Sequence, residues 1–270
     1  MELEGAHVLV TGASRGIGEA MARHFASAGA RVSVAARSVA PLETLAQQIG
    51  ATSFAVDLLD PAQVDRLISE VESRAGPIDV LVNNAGVEND KWLHRESIDR
   101  LRDVVRLNLE APIVLTRGVL PGMLERGRGH LVFTSSLAGT SAYPGLAAYS
   151  ATKAGLNNFA AAVRLELRDT PIRTTLVATG PIDTRMWAVL EEHADLAPML
   201  RRLRRLRLIP MKSPDLIGRL TVAAVQNDRR HVRVPRRLAI TFWLGESPRR
   251  VTEALLAGVP FVRSDPPPEN

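Results

Sequence analysis

The sequence contains no cysteine, which excludes disulfides, thiolate catalysis and cysteine-ligated metal sites. It also has no apolar run near the roughly 20 residues that a membrane-spanning helix needs. It shows no signal peptide, because the first apolar run, which begins at Ala6, is a short strand-like segment. None of the six histidines forms a pair with metal-ligand spacing. We therefore expect a soluble, cytoplasmic protein without a metal centre.

Lysine and tyrosine are scarce in a chain with 34 basic residues. The lysines are Lys91, Lys153 and Lys212, and the tyrosines are Tyr143 and Tyr149. In a helix, the stretch YSATK places Tyr149 and Lys153 on one face, one turn apart. A nearby ammonium favours the phenolate, so the hydroxyl can exchange a proton near neutral pH. Most basic residues of this chain are arginines, so a lysine at this position indicates that a slim ammonium, rather than a broad guanidinium, has to reach the phenol.

Positive charge is concentrated in the last third of the chain. The net charge is +5, with 16 Lys/Arg against 9 Asp/Glu in residues 185–270 and 18 against 20 before them. No aromatic interleaving or zinc-finger spacing accompanies this charge, so we do not expect nucleic-acid binding. Contact of residues 196–207 with a membrane surface stays open as an alternative.

A glycine-rich turn directly follows the first predicted strand, Ala6–Val10. The turn reads TGASRGIG, and an apolar helical pattern continues after it. Such glycines let the backbone approach a pyrophosphate at a helix N-terminus, where free N–H groups and the dipole favour anions. The spacing is GxxxGxG rather than GxGxxG, but the strand–turn–helix context still predicts dinucleotide binding.

The residue after the second predicted strand, Arg31–Ala36, indicates which dinucleotide is bound. NAD-binding units place a carboxylate near this position, to hold the ribose 2′-hydroxyl. This chain has Arg37 instead, and Arg37 with Arg15 predicts a clamp for a 2′-phosphate, which favours NADP. The alternative is that Arg37 is an ordinary solvated arginine.

Strands and helices alternate along most of the chain. Further strands are predicted at Ser53–Val56, Ile78–Val82, Leu131–Thr134 and Ile172–Val177. Helices are predicted after the cap Asp60-Pro61, over Asp99–Glu125 with interruptions at Asn108 and Pro112, from Ala148 to about Arg168, and from Ser247 to about Ala257. This alternation predicts an α/β, Rossmann-type doubly wound parallel sheet with helices on both faces. We expect a single domain over residues 1–263 and a disordered tail over 264–270.

Six motifs in this order resemble one known family. They are TGASRGIG, NNAG, the asparagine of LNL, Ser136, YSATK and GPIDT, and they cover about residues 5–185. The chain resembles a short-chain dehydrogenase/reductase of the NADP-preferring kind. The resemblance implies an NADP(H)-dependent oxidoreductase that transfers hydride between nicotinamide and a carbonyl or secondary alcohol.

The resemblance also implies a role for each motif residue. Tyr149 would be the acid/base at the substrate oxygen, and Ser136, rather than its neighbour Ser135, would hold that oxygen. Lys153 would bind the nicotinamide ribose and lower the Tyr149 pKa, and Asn108 would hold a water that links Lys153 to solvent. The implied cofactor positions are Gly12, Ser14, Arg15, Gly16, Ile17, Gly18, Arg37, Asp57, Asn84, Ala85, Gly86, Tyr149, Lys153, Gly180, Ile182 and Thr184. Among these, Asp57 would meet the adenine and Asn84 would brace the sheet beside the nicotinamide.

The segment Arg185–Lys212 lies where this family selects its substrate. Its apolar residues fall on one helical face and its arginines on the other; the apolar ones are Leu196, Met199, Leu200, Leu203 and Leu206. This pattern predicts either a lid that closes over the substrate or a fixed amphipathic helix. Met186, Trp187 and Leu190 would line the pocket, hence an apolar substrate of small to medium size.

Three further alternatives stay open. The resemblance implies a homodimer, because the helices at 99–125 and 148–168 correspond to the family's usual dimer surface, while a tetramer is also compatible with the family. Tyr143 either lines the pocket or covers a loop, and Glu88, Asp90 and Lys91 are predicted to form a solvated loop. Finally, the chain could be a non-catalytic dinucleotide-binding sensor or scaffold that attaches to a surface through its basic last third.

Overall fold

The protein is built around one sheet of seven parallel strands. The computed structural model describes residues 1–89, 91–141, 143–184, 205 and 211–235. Within them the strand order is β3-β2-β1-β4-β5-β6-β7, and all pairings are parallel. The strands are β1 His7–Thr11, β2 Arg31–Ala36, β3 Thr52–Ala55, β4 Val80–Asn83, β5 His130–Ser136, β6 Arg173–Thr179 and β7 His231–Val234. This is the predicted Rossmann-type, single-domain fold.

Helices cover both faces of the sheet, as predicted. They are α1 Gly16–Ser27, α2 Val39–Ile49, α3 Pro61–Ala75, α4 Ile98–Val105, α5 Ala111–Glu125, α6 Ala147–Glu166 and α7 Pro214–Gln226. In β1, Val8 and Val10 belong to the core under α1, α2 and α7, whereas Leu9 belongs to the core under α3, α5 and α6. Alternate residues of a strand point to opposite faces, so a strand covered on both sides is apolar on both, as Val8, Leu9 and Val10 are.

Several predicted boundaries hold, and the range Asp99–Glu125 is helical as predicted but changes helix type partway. β2 has the predicted range, and Asp60 caps α3 by accepting a hydrogen bond from the Ala62 N–H at 3.0 Å. The helix predicted over Asp99–Glu125 is instead α4, a π-helical segment Arg106–Glu110 and α5. The predicted interruption at Asn108 is therefore a wider helical turn rather than a break, and Pro112 lies in the first turn of α5, where proline is tolerated.

Most of the last third lies outside the described residues. The predicted lid or amphipathic helix, the pocket residues Met186, Trp187 and Leu190, the helix from Ser247 and the tail 264–270 all fall there, and only exposed Arg205 of the basic face is described. On either side of this segment, Asp183 N–H donates to the Lys212 carbonyl at 2.8 Å and Lys212 N–H donates to the Pro181 carbonyl at 3.2 Å. None of the helices in the described ranges is long and apolar enough to cross a membrane.

The strand order places a crevice at the carboxyl edge of the sheet. The chain moves outward from β1 to β2 and β3, and then returns to place β4 on the other side of β1. Ligands of doubly wound sheets bind at such a reversal, beyond the carboxyl ends of the strands. The turn after β1, the NNAG stretch after β4 and the serines ending β5 all reach this edge.

Candidate active site

The turn after β1 packs so closely against neighbouring backbone that it requires glycine. Gly12 has φ +64°, and a Cβ there would lie 2.7 Å from the Ala85 Cα. A Cβ at Gly18 would collide with the Gly12 carbonyl oxygen. Glycine at these two positions therefore lets the turn pack against Ala85 and against the start of α1. The N-terminus of α1 lines the crevice, where backbone N–H groups and the helix dipole favour a pyrophosphate.

Asn84 braces this turn against the sheet. Its Nδ2 donates to the Thr11 carbonyl at 3.0 Å and to the Gly12 carbonyl at 3.3 Å. Its backbone N–H donates to the Thr11 hydroxyl, also at 3.0 Å. The asparagine side chain thus satisfies two carbonyls of the glycine turn. Its position beside a nicotinamide stays a prediction.

At the opposite end of the crevice, Arg37 follows β2. Its guanidinium lies 3.5 Å from the Asp57 carboxylate, and the Arg37 side chain is 71% exposed. An ion pair this exposed contributes little stability, so the guanidinium can turn toward a ligand at small cost. Arg15, the residue that precedes α1, is also exposed and lines the same crevice.

Tyr149 and Lys153 lie one turn apart near the start of α6, as predicted. The Lys153 Nζ lies 5.6 Å from the centroid of the Tyr149 ring and donates to the Thr134 carbonyl at 2.9 Å. Burial lowers the pKa of Lys153 to about 8, against an opposing effect of the Glu88 charge. The ammonium is thus held at the end of β5 rather than at the phenol hydroxyl.

The expected lowering of the Tyr149 pKa is not seen. Burial raises the pKa of Tyr149 to about 12, the Ser136 hydroxyl opposes this, and the Glu88 charge adds to it. The physical reason is desolvation, which penalises a phenolate more than its neighbours stabilise it. Tyr149 is therefore protonated at neutral pH in this structure, as a proton donor must be.

The structure distinguishes the two adjacent serines. Ser135 is buried and donates to the Asn157 Oδ1 at 2.6 Å, so its hydroxyl hydrogen is already used. Ser136 is half-buried, and a hydrogen bond between its hydroxyl and the Tyr149 phenol opposes the rise in the Tyr149 pKa. This supports Ser136 as the residue that meets the substrate oxygen, in line with the spacing from Tyr149.

Asn108 is fully buried in the π-helical segment and holds the irregular stretch that follows β4. Its Oδ1 accepts from the Val87 N–H at 2.9 Å, and its Nδ2 donates to the Val87 carbonyl at 2.7 Å and to the Thr152 hydroxyl at 3.1 Å. Both amide hydrogens are therefore used. A relay water at Asn108, which stays a prediction, would have to bind another polar atom of this residue.

One cleft of about 1170 Å³ joins these groups. That volume exceeds the roughly 300–1,000 Å³ typical of small-ligand pockets, so it suits a dinucleotide together with a substrate. Every predicted catalytic or cofactor residue except Asn108 lines the cleft, and Tyr143 lines it as well. No group of three metal-ligating side chains occurs among the described residues.

Two residues of the site were missed by sequence reasoning. Glu88 was predicted to lie in a solvated loop, which is wrong, because it is only 8% exposed and lines the cleft. Asn89 is fully buried; its Oδ1 accepts from the Tyr149 N–H at 2.9 Å and its Nδ2 donates to the Gly145 carbonyl at 2.8 Å. The sequence carries no periodic signal for either residue, since both follow NNAG in an irregular stretch.

Asn89 should therefore be a positioning residue for Tyr149. We expect Asn89→Leu to lower kcat/KM about tenfold, because two buried backbone groups lose partners worth about 1–3 kcal/mol each. Asn89→Asp keeps the acceptor for the Tyr149 N–H and should lose less. Steady-state kinetics with thermal unfolding of both variants checks this. Equal kcat/KM in Asn89→Leu and the wild type would contradict it.

The fold and the cleft together define a dinucleotide-binding protein of the doubly wound class. The family profile described as short chain dehydrogenase matches residues 6–195, and the chain belongs to this family. It is 34% identical over 194 residues to the Escherichia coli 3-oxoacyl-[acyl-carrier-protein] reductase FabG, covering 71% of this chain and 80% of that protein. It is also 34% identical over 220 residues to a short chain dehydrogenase of Pseudocercospora fijiensis, covering 78% and 71% of the two chains.

A solved structure is similar as well. A metagenomic short-chain oxidoreductase in complex with NADP superimposes with a TM-score of 0.70 at 33% identity, over 87% of this chain and 98% of that one. The agreement in both sequence and structure shows that the chain is a member of an oxidoreductase family.

Proposed function

We propose that the protein is an NADP(H)-dependent oxidoreductase that interconverts a carbonyl and a secondary alcohol. The observation that carries this is the meeting of Ser136, Tyr149 and Lys153 with the glycine turn in one cleft. A bound nicotinamide would supply the hydride. The protein has to bind and orient both partners and provide the proton.

Tyr149 is the proton donor in this proposal. With a pKa of about 12 the Tyr149 phenol carries its proton at neutral pH. A phenol with so high a pKa is a weak acid, so the negative charge that develops on the carbonyl oxygen during hydride transfer has to draw the proton from it. Ser136 donates a second hydrogen bond to the same oxygen and stabilises the charge that develops there. The adjacent Ser135 donates its hydroxyl hydrogen to the Asn157 Oδ1 and thereby holds the Asn157 side chain in place.

Lys153 binds the ribose next to the nicotinamide. An ammonium has three N–H donors, and the hydrogen bond to Thr134 uses one of them. Gly86 faces it: a Cβ there would lie 3.5 Å from the Lys153 Nζ and 3.0 Å from the Asn108 Oδ1. The missing side chain at Gly86 therefore keeps the approach to the ammonium open.

The preference for NADP rests on Arg37 and Arg15. Both line the cleft at the end where the adenosine half of a dinucleotide would lie if its pyrophosphate sits at the glycine turn. Asp57, which pairs with Arg37, leaves other guanidinium N–H groups for a phosphate, because the guanidinium has five donors. The NADP held by the metagenomic relative supports the same cofactor.

A homodimer is proposed through α4, α5 and α6. Large apolar side chains are exposed on α4 and α5; they are Ile98, Val105, Ile113 and Leu124. A dimer contact through these helices would bury them. Sedimentation velocity should give about twice the chain mass of 29.3 kDa, and a monomer at micromolar concentration would contradict the proposal.

The direct test is a screen of ketones, aldehydes and secondary alcohols with NADPH, NADH and their oxidised forms. We expect NADPH oxidation with at least one ketone. A sensor or scaffold would instead bind NADPH, as seen by calorimetry, without oxidising it with any compound. That result would replace the proposed function with the alternative.

A further inference from the structure

Asn157 is a buried asparagine of α6 that bonds to both ends of the segment 135–139, the Ser136 turn. Its Oδ1 accepts from the Ser135 hydroxyl at 2.6 Å, and its Nδ2 donates to the Gly139 carbonyl at 3.2 Å. These two partners lie on either side of Ser136 in the chain. The Asn157 side chain is only 2% exposed and does not line the cleft. It therefore holds the Ser136 turn without access to a substrate or a cofactor.

The Ser136 turn also packs against the backbone of α6 at the same point. A Cβ at Gly139 would lie 2.5 Å from the Asn157 Nδ2 and 2.9 Å from the Lys153 carbonyl oxygen, so this approach requires glycine. Tyr149, Lys153 and Asn157 follow one another at intervals of four residues, which places them along one side of the helix. The Ser136 turn is thus fixed on the side of α6 that carries Tyr149 and Lys153.

The geometry of the Ser136 turn determines where the Ser136 hydroxyl lies. Its oxygen accepts from the Ala138 N–H, inside the turn, at 3.2 Å. The same hydroxyl forms a hydrogen bond with the phenol of Tyr149, which belongs to α6. A shift of the turn along α6 would therefore change the distance between two groups that have to meet one substrate oxygen. Misplacement by about 1 Å can lower a rate about 10²-fold.

Asparagine is an unfavourable residue at this position of α6. Leu156 and Ala160, its neighbours in the helix, belong to the apolar core. Asparagine is a weak helix former, and burial of an amide without partners costs free energy. The two hydrogen bonds of Asn157 to the Ser136 turn offset this cost, and a leucine of similar shape could form neither of them.

We propose that Asn157 is a positioning residue, which holds the Ser136 turn at a fixed place on α6 and so sets the distance from Ser136 to Tyr149. This rests on the proposed function, because it concerns the reaction of the same site. Asn157 acts through Ser136, since it touches neither the substrate oxygen nor the glycine turn after β1. Its loss should therefore slow the reduction of the carbonyl and leave NADPH affinity unchanged.

The test is a double-mutant cycle between Asn157 and Ser136, measured with NADPH and the most active ketone of the screen. Asn157→Leu in the wild type should lower kcat about tenfold and leave the Kd of NADPH within about twofold. Ser136→Ala removes the group that Asn157 positions and should lower kcat about 10²–10³-fold. Adding Asn157→Leu to Ser136→Ala should then lower kcat less than about twofold further, because no serine hydroxyl is left to position.

Asn158→Leu is the matched control, because it makes the same chemical change at the next residue, which is exposed on α6. It should leave kcat within about twofold. Thermal unfolding shows whether each variant is folded. If Asn157→Leu is not folded, Ser135→Ala takes its place in the cycle, because it removes the same hydrogen bond from the other partner. Its loss of kcat, about threefold or more, should likewise disappear in Ser136→Ala.

The outcomes separate the two proposals. A wild type that reduces a ketone, with the same fold-loss from Asn157→Leu whether Ser136 is present or not, would show a general structural role. The positioning role is then wrong and the oxidoreductase stands, and an unchanged kcat in Asn157→Leu leads to the same conclusion. If the wild type oxidises NADPH with no compound of the screen, the proposed function fails and the role of Asn157 in its reaction fails with it.

Discussion

Tyr149→Phe should lower kcat about 10²–10⁴-fold while leaving NADPH affinity and the unfolding temperature nearly unchanged. The variant removes only the phenol oxygen, whose proton the carbonyl oxygen needs during reduction. The aromatic ring and its contact with the Lys153 ammonium are kept. Stopped-flow or steady-state NADPH oxidation, with calorimetry for the cofactor and thermal unfolding, measures the three quantities.

Tyr143→Phe provides the matched control. Tyr143 is the other tyrosine of the chain and lines the same cleft, and burial also raises its pKa, although a hydrogen bond with Ser141 opposes this. Its loss should cost less than about tenfold in kcat, because the proposal gives its hydroxyl no part in proton transfer. Similar losses in both variants would mean that tyrosine hydroxyls shape the cleft rather than transfer a proton. A Tyr149→Phe variant with more than half of the wild-type activity would overturn the assignment.

Arg37→Asp should reverse the cofactor preference. We expect the Kd of NADPH to rise about 100-fold or more, because a charge-assisted contact to the 2′-phosphate is replaced by repulsion. The Kd of NADH should change little or improve, because a carboxylate accepts a hydrogen bond from the 2′-hydroxyl. Calorimetric titration of both cofactors into both proteins gives the four constants.

An exposed arginine outside the cleft controls for the change in net charge. Arg66 on α3 pairs with Glu70 and does not line the cleft, so Arg66→Asp alters the charge equally without touching the site. It should change the Kd of NADPH only a few-fold. Wild-type protein that binds NADH more tightly than NADPH would contradict the assignment of Arg37, whatever the variants do.

The sequence predicted the parts of the site that depend on local backbone chemistry. Gly12 and Gly18 are required by close approaches that the strand–turn–helix context implies. Tyr149 and Lys153 meet because a helix repeats every 3.6 residues, and a helical pattern is visible in the chain. Helix periodicity and the backbone freedom of glycine therefore determine which of these residues reach the cleft.

Burial and tertiary contact account for what was missed. Glu88 and Asn89 look like surface residues until Arg100 and Gly145 are brought against them from elsewhere in the chain. The Tyr149 pKa was expected to fall because the sequence shows the neighbouring charge of Lys153 but not the desolvation that outweighs it. A wide π-helical turn likewise cannot be distinguished from a helix break by the position of Asn108 alone.

Transfer of deuterium from NADPH labelled at the nicotinamide C4 to a ketone tests the central claim most directly. With the ketone that the screen finds most active, mass spectrometry should show one deuterium on the carbinol carbon of the alcohol, from one of the two C4 positions only. Tyr149→Phe should slow its appearance in proportion to kcat. Bound NADPH that transfers no deuterium to any ketone or aldehyde would contradict the assignment of this protein as an NADP(H)-dependent oxidoreductase.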